Sequence, residues 1–158
     1  MPEILEQPRP RVRSKSYSYK TNVVWTGQRA GIMHSLRKPS VRVASPPEFR
    51  GEEGVWTPED LFVSAINICL MTTFVALAER AALAIDSFDS DAEGLLELRD
   101  GGFTFTKVTL RPRIVVSDAS TVEAAGQLLH AAHESCLIGN SIRADVIVDP
   151  TIGTLGFA

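Results

Sequence analysis

The feature that most constrains this chain is an uncharged stretch of eighteen residues, 61–78, in the middle of the sequence. Such a run is at the lower limit for a membrane-spanning helix. Four polar residues interrupt it, acidic residues precede it, and no Lys or Arg cluster marks a cytoplasmic end, so we expect no membrane span. In a soluble protein, a helix that is apolar all round must be covered on every side. The interrupting residues are Ser64, Asn67, Thr72 and Thr73.

A helix start signal lies directly before this stretch. Thr57 is a suitable N-cap, Pro58 fits the first turn, and Asp60 stands where a capping box requires a carboxylate. The sequence therefore predicts a helix from Thr57 to about residue 83. Glu59 lies in the same turn but is not needed for capping, which leaves it free for another role.

Alternating patterns on both sides of this helix predict the remaining elements. Before it we expect three short strands and a loop rich in Pro and Gly, and the first two strands are joined by a turn that contains Gly27 and Gly31. After it we expect a hairpin, a second helix that begins at Ser120 with Glu123 in a capping box, and a last strand. The predicted ranges are 16–25, 31–36 and 40–44 for the first strands, 46–56 for the loop, 99–102 for the hairpin turn and 143–150 for the last strand.

This order of elements predicts an α+β fold. A few short strands and one further helix are too little to cover the first helix, so we expect a homodimer that encloses it. With 158 residues, the chain is predicted to form a single domain over residues 14–158, preceded by a flexible arm over 1–13 that contains three prolines.

Charge and the N-terminal composition narrow the class of protein. A net charge of −3 with interspersed acids and bases argues against nucleic acid as the main partner. The first ten residues carry acids and prolines where a secretory signal would be apolar, which predicts a cytoplasmic protein. A permanent structural disulfide is not expected in that compartment.

The chain has two cysteines, Cys69 and Cys136, and both are predicted to point towards the core where the two helices meet. Their spacing leaves three interpretations open: two small buried packing residues, a zinc site completed by His133 and His130, or a reactive thiol with a resolving partner. In the third case a disulfide between Cys69 and Cys136 would close a long loop and stabilise the fold by roughly 4 kcal/mol. The predicted inward stripes are Phe62, Ala65, Ile66, Cys69, Thr73 and Ala76 on the first helix, and Val122, Ala125, Leu129, Ala132 and Cys136 on the second.

Two segments, TPEDLFVSAINIC and AHESCLIGNSI, resemble the OsmC/Ohr family of thiol-dependent organic hydroperoxide reductases. In that family a Pro-Glu pair opens the central helix, a cysteine follows ten residues after the Glu, and a second cysteine ends a later helix. Pro58, Glu59, Cys69 and Cys136 occupy those places, and the order of elements fits from about residue 15 to the end.

The resemblance implies an OsmC-like fold in which antiparallel sheets pack around a long buried central helix and a second helix, within an intertwined homodimer whose sites lie where the subunits meet. It implies that Cys69 is the peroxidatic cysteine and Cys136 the resolving one. The implied substrate is an organic hydroperoxide, the implied reductant is a dithiol such as a lipoyl group, and neither a metal nor another cofactor is implied.

The resemblance also implies an arginine that holds the thiolate and is oriented by Glu59. One branch of the family carries it in a Gly-rich turn after the first strand, where Arg29 stands in TGQRAG. Another branch carries it as Arg-Phe-Glu-Gly before the Pro-Glu pair, whereas this chain reads Glu-Phe-Arg-Gly at 48–51. We therefore assign the role to Arg29, with Arg50 and then Arg37 as alternatives.

Three aromatic residues, Phe49, Trp56 and Phe62, are expected to line an apolar substrate pocket. They are equally compatible with a packing role in the core. A function of a different class also fits the sequence: a non-enzymatic relative that binds a lipid-like ligand in the same pocket.

Overall fold

The computed structural model describes residues 15–156, which form two sheets and two α-helices and confirm the α+β class. The predicted arm over residues 1–13 lies outside the described residues. The helices are α1 (Pro58–Arg80) and α2 (Val122–Glu134). The strands are β1 (Asn22–Gly27), β2 (Ala30–His34), β3 (Val41–Ala44), β4 (Ile85–Arg99), β5 (Gly102–Val116), β6 (Asp145–Val148) and β7 (Thr151–Gly153).

The first sheet consists of β1, β2 and β3 in antiparallel order. Its first strand begins later than predicted, because Asn22 pairs with His34 at the end of β2 and residues before Asn22 have no strand to pair with. The turn between β1 and β2 uses Gly27 and Gln28, which have φ of 119° and 48°. Gly31, predicted in this turn, lies inside β2 instead.

The second sheet is built on the long antiparallel hairpin of β4 and β5, which turns at Asp100 and Gly101 as the sequence predicted. The hairpin is antiparallel as expected, and the complete sheet is mixed. Both β6 and β7 run parallel to β5, because α2 carries the chain back to the starting end of the sheet before β6 begins. The strand β7 was not predicted.

The start of α1 follows the predicted capping box. Asp60 N–H donates to Thr57 Oγ1 at 3.1 Å, and Thr57 N–H donates to Asp60 Oδ2 at 3.0 Å. The inward face of α1 differs from the predicted stripe. The fully buried residues of this helix recur every four positions along the sequence. Cys69 is therefore half-buried on the flank of this face, and Ala76 is exposed. The fully covered residues are Ile66, Leu70, Phe74 and Ala78.

The remaining faces of α1 are apolar but only partly covered within one chain. Ile68 is 56% exposed. Of the residues in the apolar 18-residue stretch of the helix, only 22% are buried. By length and composition α1 could cross a membrane. The core helix of a soluble protein meets the same two criteria. In the first sheet, Val23 and Trp25 are also exposed. These uncovered apolar surfaces support the expectation of a second copy, which stays a prediction.

The inward stripe of α2 agrees well with the sequence pattern. Ala125, Leu129, Ala132 and Cys136 are all buried. The start of the helix differs from the prediction, because a 3₁₀ turn at residues 119–121 precedes it. The Asp118 carboxylate caps that turn by accepting a hydrogen bond from the Ser120 amide at 2.9 Å. The predicted capping box of Ser120 and Glu123 is therefore wrong.

The loop before α1 is held in a fixed shape. A Cβ atom at Gly51 would lie 1.4 Å from the carbonyl oxygen of Ser45, so only glycine fits at this close approach. Ala44 N–H donates to the Trp56 carbonyl at 3.0 Å and ties the end of the loop to β3. Together these contacts fix Phe49, at the end of a 3₁₀ turn, beside the first turns of α1.

Candidate active site

The two cysteine side chains meet where α1 packs against α2. Cys69 lies in the middle of α1 and is half-buried, whereas Cys136 lies just beyond the last turn of α2 and is 2% exposed. Both are free thiols, and each is among the groups that shift the pKa of the other. The two side chains therefore lie close together where the two helices meet.

The surroundings of Cys69 favour its thiolate. Burial is the largest single effect and opposes ionisation, but hydrogen bonds from the Ile138 amide, the Cys136 thiol, the Thr73 hydroxyl and the Leu137 amide hold the pKa of Cys69 below its usual value. Burial, followed by the hydrogen bond to Cys69, raises the pKa of Cys136. Cys69 therefore ionises first and Cys136 keeps its proton, which distinguishes a nucleophile from its partner.

The backbone donors come from the turn that follows α2. Gly139 N–H donates to the sulfur of Cys136 at 3.4 Å, and Asn140 N–H donates to the Cys136 carbonyl at 2.9 Å. The intervening amides of Leu137 and Ile138 are among the groups that lower the pKa of Cys69. These amides could not be predicted from the sequence, because a backbone amide has no residue-type signature.

Glu59 lies in the first turn of α1 and faces two adjoining open cavities of about 970 and 510 Å³, within the size range of small-molecule sites. Its Oε2 atom is buried and has no hydrogen-bond partner within residues 15–156. A buried carboxylate oxygen without a partner is unfavourable, so this atom requires a donor from elsewhere. The sequence signal for Glu59 was its position in the first turn of α1 without a capping role.

The three predicted pocket residues gather around Glu59. Phe49 lines both cavities, Trp56 lines the larger one and Phe62 lines the smaller one. Two further aromatic rings complete the walls, since Phe62 stacks on Phe105 at 4.6 Å between centroids and Phe49 meets Phe103 edge-on at 5.2 Å. Neither cysteine lines these two cavities.

The sulfur pair and the Glu59 cavities therefore form two separate half-sites in one chain. Glu59 and Cys69 are ten positions apart on the same helix. At 1.5 Å per residue, this separation is about 15 Å along the helix axis. This separation makes it unfavourable for a single guanidinium to contact both Glu59 and Cys69 of one chain.

The three candidate arginines lie in the loops that precede α1. Arg29 donates from its guanidinium to the carbonyl of Phe49, which places it on the side of the Glu59 cavities. Arg50 follows the 3₁₀ turn of the loop and Arg37 lies between β2 and β3, both exposed and with positive φ. Within the described part of one chain, no guanidinium is among the groups that shift the pKa of Cys69. The role of Arg29 stays a prediction.

The zinc interpretation is not supported by the positions of the histidines. His130 lies on the exposed face of α2 and pairs with Glu134 at 3.3 Å. Over residues 15–156, no three His, Cys, Asp or Glu side chains come together in a way that could hold a metal ion.

Comparisons with known proteins agree on one family. The family model described as OsmC-like protein matches residues 51–151, which include both cysteines and Glu59 but not Arg29. The chain is 30% identical over 107 residues to an uncharacterized protein of Bacillus subtilis, covering 66% of this chain and 71% of that protein. It is 28% identical over 103 residues to Peroxiredoxin OsmC of Escherichia coli, covering 64% and 69%.

Solved structures show the same fold. An OsmC-like protein of unknown function from Vibrio cholerae superposes with a TM-score of 0.79 at 25% identity, covering 85% of this chain and 99% of that one. An organic hydroperoxide resistance protein OsmC from Legionella pneumophila superposes with a TM-score of 0.68 at 25% identity, covering 89% and 99%. The expected OsmC-like architecture is thereby confirmed for the single chain.

Proposed function

The chain belongs to the OsmC-like protein family, and from this premise we propose that it is a thiol-dependent peroxidase that reduces organic hydroperoxides. The observation that carries the proposal is the sulfur pair, in which Cys69 is stabilised as a thiolate beside a protonated Cys136. Likeness to Peroxiredoxin OsmC and to an organic hydroperoxide resistance protein supports a peroxidase-type role at the level of the family.

The first step oxidises Cys69. Its thiolate attacks the distal oxygen of the hydroperoxide, an S–O bond forms, and the O–O bond breaks. The alkoxide leaves and takes up a proton to become the alcohol, while Cys69 becomes a sulfenic acid. A low thiol pKa raises the thiolate fraction at neutral pH, and the apolar walls of the adjoining cavities suit an alkyl chain.

The second step uses Cys136. Its sulfur attacks the Cys69 sulfenic acid, an S–S bond forms, and the hydroxyl leaves as water with the thiol proton. The neighbouring positions of the two side chains support this step, because no large movement has to precede the bond. A dithiol then reduces the disulfide by exchange and restores both thiols. The chemistry uses the sulfur atoms alone and requires neither a metal nor an organic cofactor.

The two half-sites are completed, in this proposal, by a second copy of the chain. If two α1 helices pack antiparallel through their uncovered faces, Glu59 of one copy comes opposite Cys69 of the other, and the helices cross near Ser64. Arg29, on the Glu59 side of its own chain, then reaches Cys69 of the other copy. Its guanidinium stabilises the leaving alkoxide there. In this arrangement Arg29 also supplies the buried Oε2 of Glu59 with the hydrogen-bond donor that this atom lacks in the single chain.

The proposed peroxidase is tested by counting thiols after cumene hydroperoxide is added in the absence of reductant. One equivalent per chain is expected to remove both thiols, and stopped-flow tryptophan fluorescence, to which Trp56 beside the cavity contributes, follows the rate. Two unreacted thiols after excess peroxide would contradict the proposal. If the hydroperoxide bound while both thiols persisted, the alternative of a lipid-binding relative would be favoured.

The proposed dimer is tested at Ile68, which is 56% exposed on α1. An Ile68→Glu substitution buries an unpaired charge in the proposed interface and is expected to raise the dimer dissociation constant by at least about a hundredfold. Size-exclusion chromatography with light scattering measures the change, and Ile68→Leu serves as the apolar control. A monomeric wild-type protein, or an Ile68→Glu variant that stays fully dimeric, would show that this face is not the interface.

A further inference from the structure

We propose that Asn140 is a positioning residue for the second step of the cycle, because its side-chain amide closes the turn that holds the Cys136 sulfur. This inference rests on the proposed function, in which Cys136 attacks the oxidised Cys69. It gives a role to a polar side chain to which neither the sequence patterns nor the family resemblance assigned one.

The chain folds back tightly in the turn after α2. Gly139 N–H donates to the Cys136 sulfur at 3.4 Å, and Asn140 N–H donates to the Cys136 carbonyl at 2.9 Å. A Cβ atom at Gly139 would lie 3.4 Å from the same sulfur, so this part of the turn is packed against it. The turn therefore restricts the positions that the Cys136 sulfur can take and supplies it with a backbone donor.

The side chain of Asn140 connects this turn to the end of α2. Its Nδ2 atom donates at 2.8 Å to the carbonyl of Glu134, the last residue of the helix. The last carbonyls of a helix have no partner within it, so this bond satisfies one of them from outside. Asn140 thus binds the Glu134 carbonyl through its side chain and the Cys136 carbonyl through its backbone. One exposed residue thereby holds both ends of the segment that carries the second cysteine.

The second step depends on where the Cys136 sulfur is held. This sulfur attacks the sulfenic sulfur of Cys69, an S–S bond forms, the S–O bond breaks, and the hydroxyl leaves with the thiol proton as water. A group that is already oriented loses less entropy on the way to the transition state. The Gly139 amide also stabilises the negative charge that develops on the sulfur as its proton leaves. The first step does not use Cys136, so the turn is expected to act on the second step alone.

Single-turnover kinetics of an Asn140→Ala variant test this role. The reduced full chain is mixed with one equivalent of cumene hydroperoxide in the absence of reductant and quenched at intervals. The alcohol product measures the first step, and intact mass spectrometry after dimedone treatment separates the sulfenic acid from the disulfide. We expect an unchanged first step and a second step slowed by about 3- to 10-fold, so that the variant accumulates more dimedone-reactive sulfenic acid than the wild type.

Two further variants separate positioning of the sulfur from a general loosening of the helix end. Ser135→Ala removes a neighbouring hydroxyl that donates to the Ala131 carbonyl at 2.6 Å, and is expected to keep the wild-type rates of both steps. Asn140→Asp keeps the shape of the side chain but replaces its donor by an acceptor. It is expected to slow the second step at least as much as Asn140→Ala, and it provides the same test if the alanine variant does not fold.

Three results would overturn the inference. The first is a wild-type rate for the second step in a folded Asn140 variant. The second is a first step slowed by the same factor as the second step, which would indicate a general disturbance of the site. The third is an equal slowing of the second step in Ser135→Ala, which would assign the effect to the helix end and not to the Asn140 amide.

A second oxidant makes the test independent of peroxidase activity. With the disulfide of thionitrobenzoate, Cys69 displaces one coloured thionitrobenzoate, and Cys136 then displaces the other to form the protein disulfide. If the wild type does not react with peroxide but Asn140→Ala slows only the second release, the peroxidase proposal fails and the role of Asn140 stands. If peroxide oxidises both thiols at equal rates in the wild type and in Asn140→Ala, the role of Asn140 fails and the peroxidase proposal stands.

Discussion

A Cys69→Ser substitution is expected to lower the rate of hydroperoxide turnover by more than about a thousandfold, because a serine hydroxyl in the same place is not ionised at neutral pH and is a poor nucleophile towards peroxide. Consumption of cumene hydroperoxide with dihydrolipoamide as reductant measures the loss. Cys136→Ser is expected to behave differently: the first equivalent of peroxide is consumed at nearly the wild-type rate, and the cycle then stalls with a sulfenic acid at Cys69 that dimedone traps.

The two cysteine variants control each other, since both replace one sulfur by oxygen at neighbouring positions. Circular dichroism and oligomeric state are expected to match the wild type in both, because serine is nearly the same size as cysteine. Residual turnover above a few per cent in Cys69→Ser would remove Cys69 from the nucleophilic role. Sustained turnover in Cys136→Ser with the same dithiol would remove Cys136 from the resolving role.

A mixed dimer of a Cys69→Ser chain and a Glu59→Gln chain is expected to recover about half of the wild-type activity, although each parent homodimer is strongly impaired. The recovery follows from the distance of about 15 Å between Glu59 and Cys69 along one helix. In the mixed dimer, one site combines the intact Cys69 of one chain with the intact Glu59 of the other. The second site carries both substitutions and is inactive.

The mixed dimer is made by co-expression of the two chains with different affinity tags and purification over both. Its hydroperoxide turnover is compared with that of the two homodimers and of a doubly tagged wild type. Activity no higher than the average of the parents would show that each site uses Glu59 and Cys69 of the same chain, or that no shared site exists. An active Glu59→Gln homodimer would remove Glu59 from the mechanism.

The parts of the fold that follow from local signals were predictable. Thr57 and Asp60 specify the start of α1 through one pair of hydrogen bonds, and Asp100 and Gly101 specify the hairpin turn through their positive φ angles. The inward face of α2 was also predictable, because its apolar residues occupy one side only. The start of α2 was not, since Asp118 and Ser120 compete as caps and the sequence does not rank them.

The parts that depend on distant contacts were not predictable. Because α1 is apolar on all sides, its composition does not indicate which side the chain itself covers, and the predicted stripe was placed off the true face. The parallel pairing of β7 with β5 depends on where α2 returns the chain. At the candidate site, Cys69, Cys136 and Glu59 were identified from the sequence, whereas the amides of Leu137 and Ile138 were not.

The partly uncovered apolar surface of α1 affects how much folded protein accumulates in the cell. In the proposed dimer the chain covers the rest of its central helix only by meeting another copy, and it gains that part of its folding free energy in a bimolecular event. Its abundance then determines how much of it survives quality control. Because dimer formation depends on the square of the chain concentration, a low level of synthesis yields few lasting molecules and a burst of synthesis yields more than proportionally more.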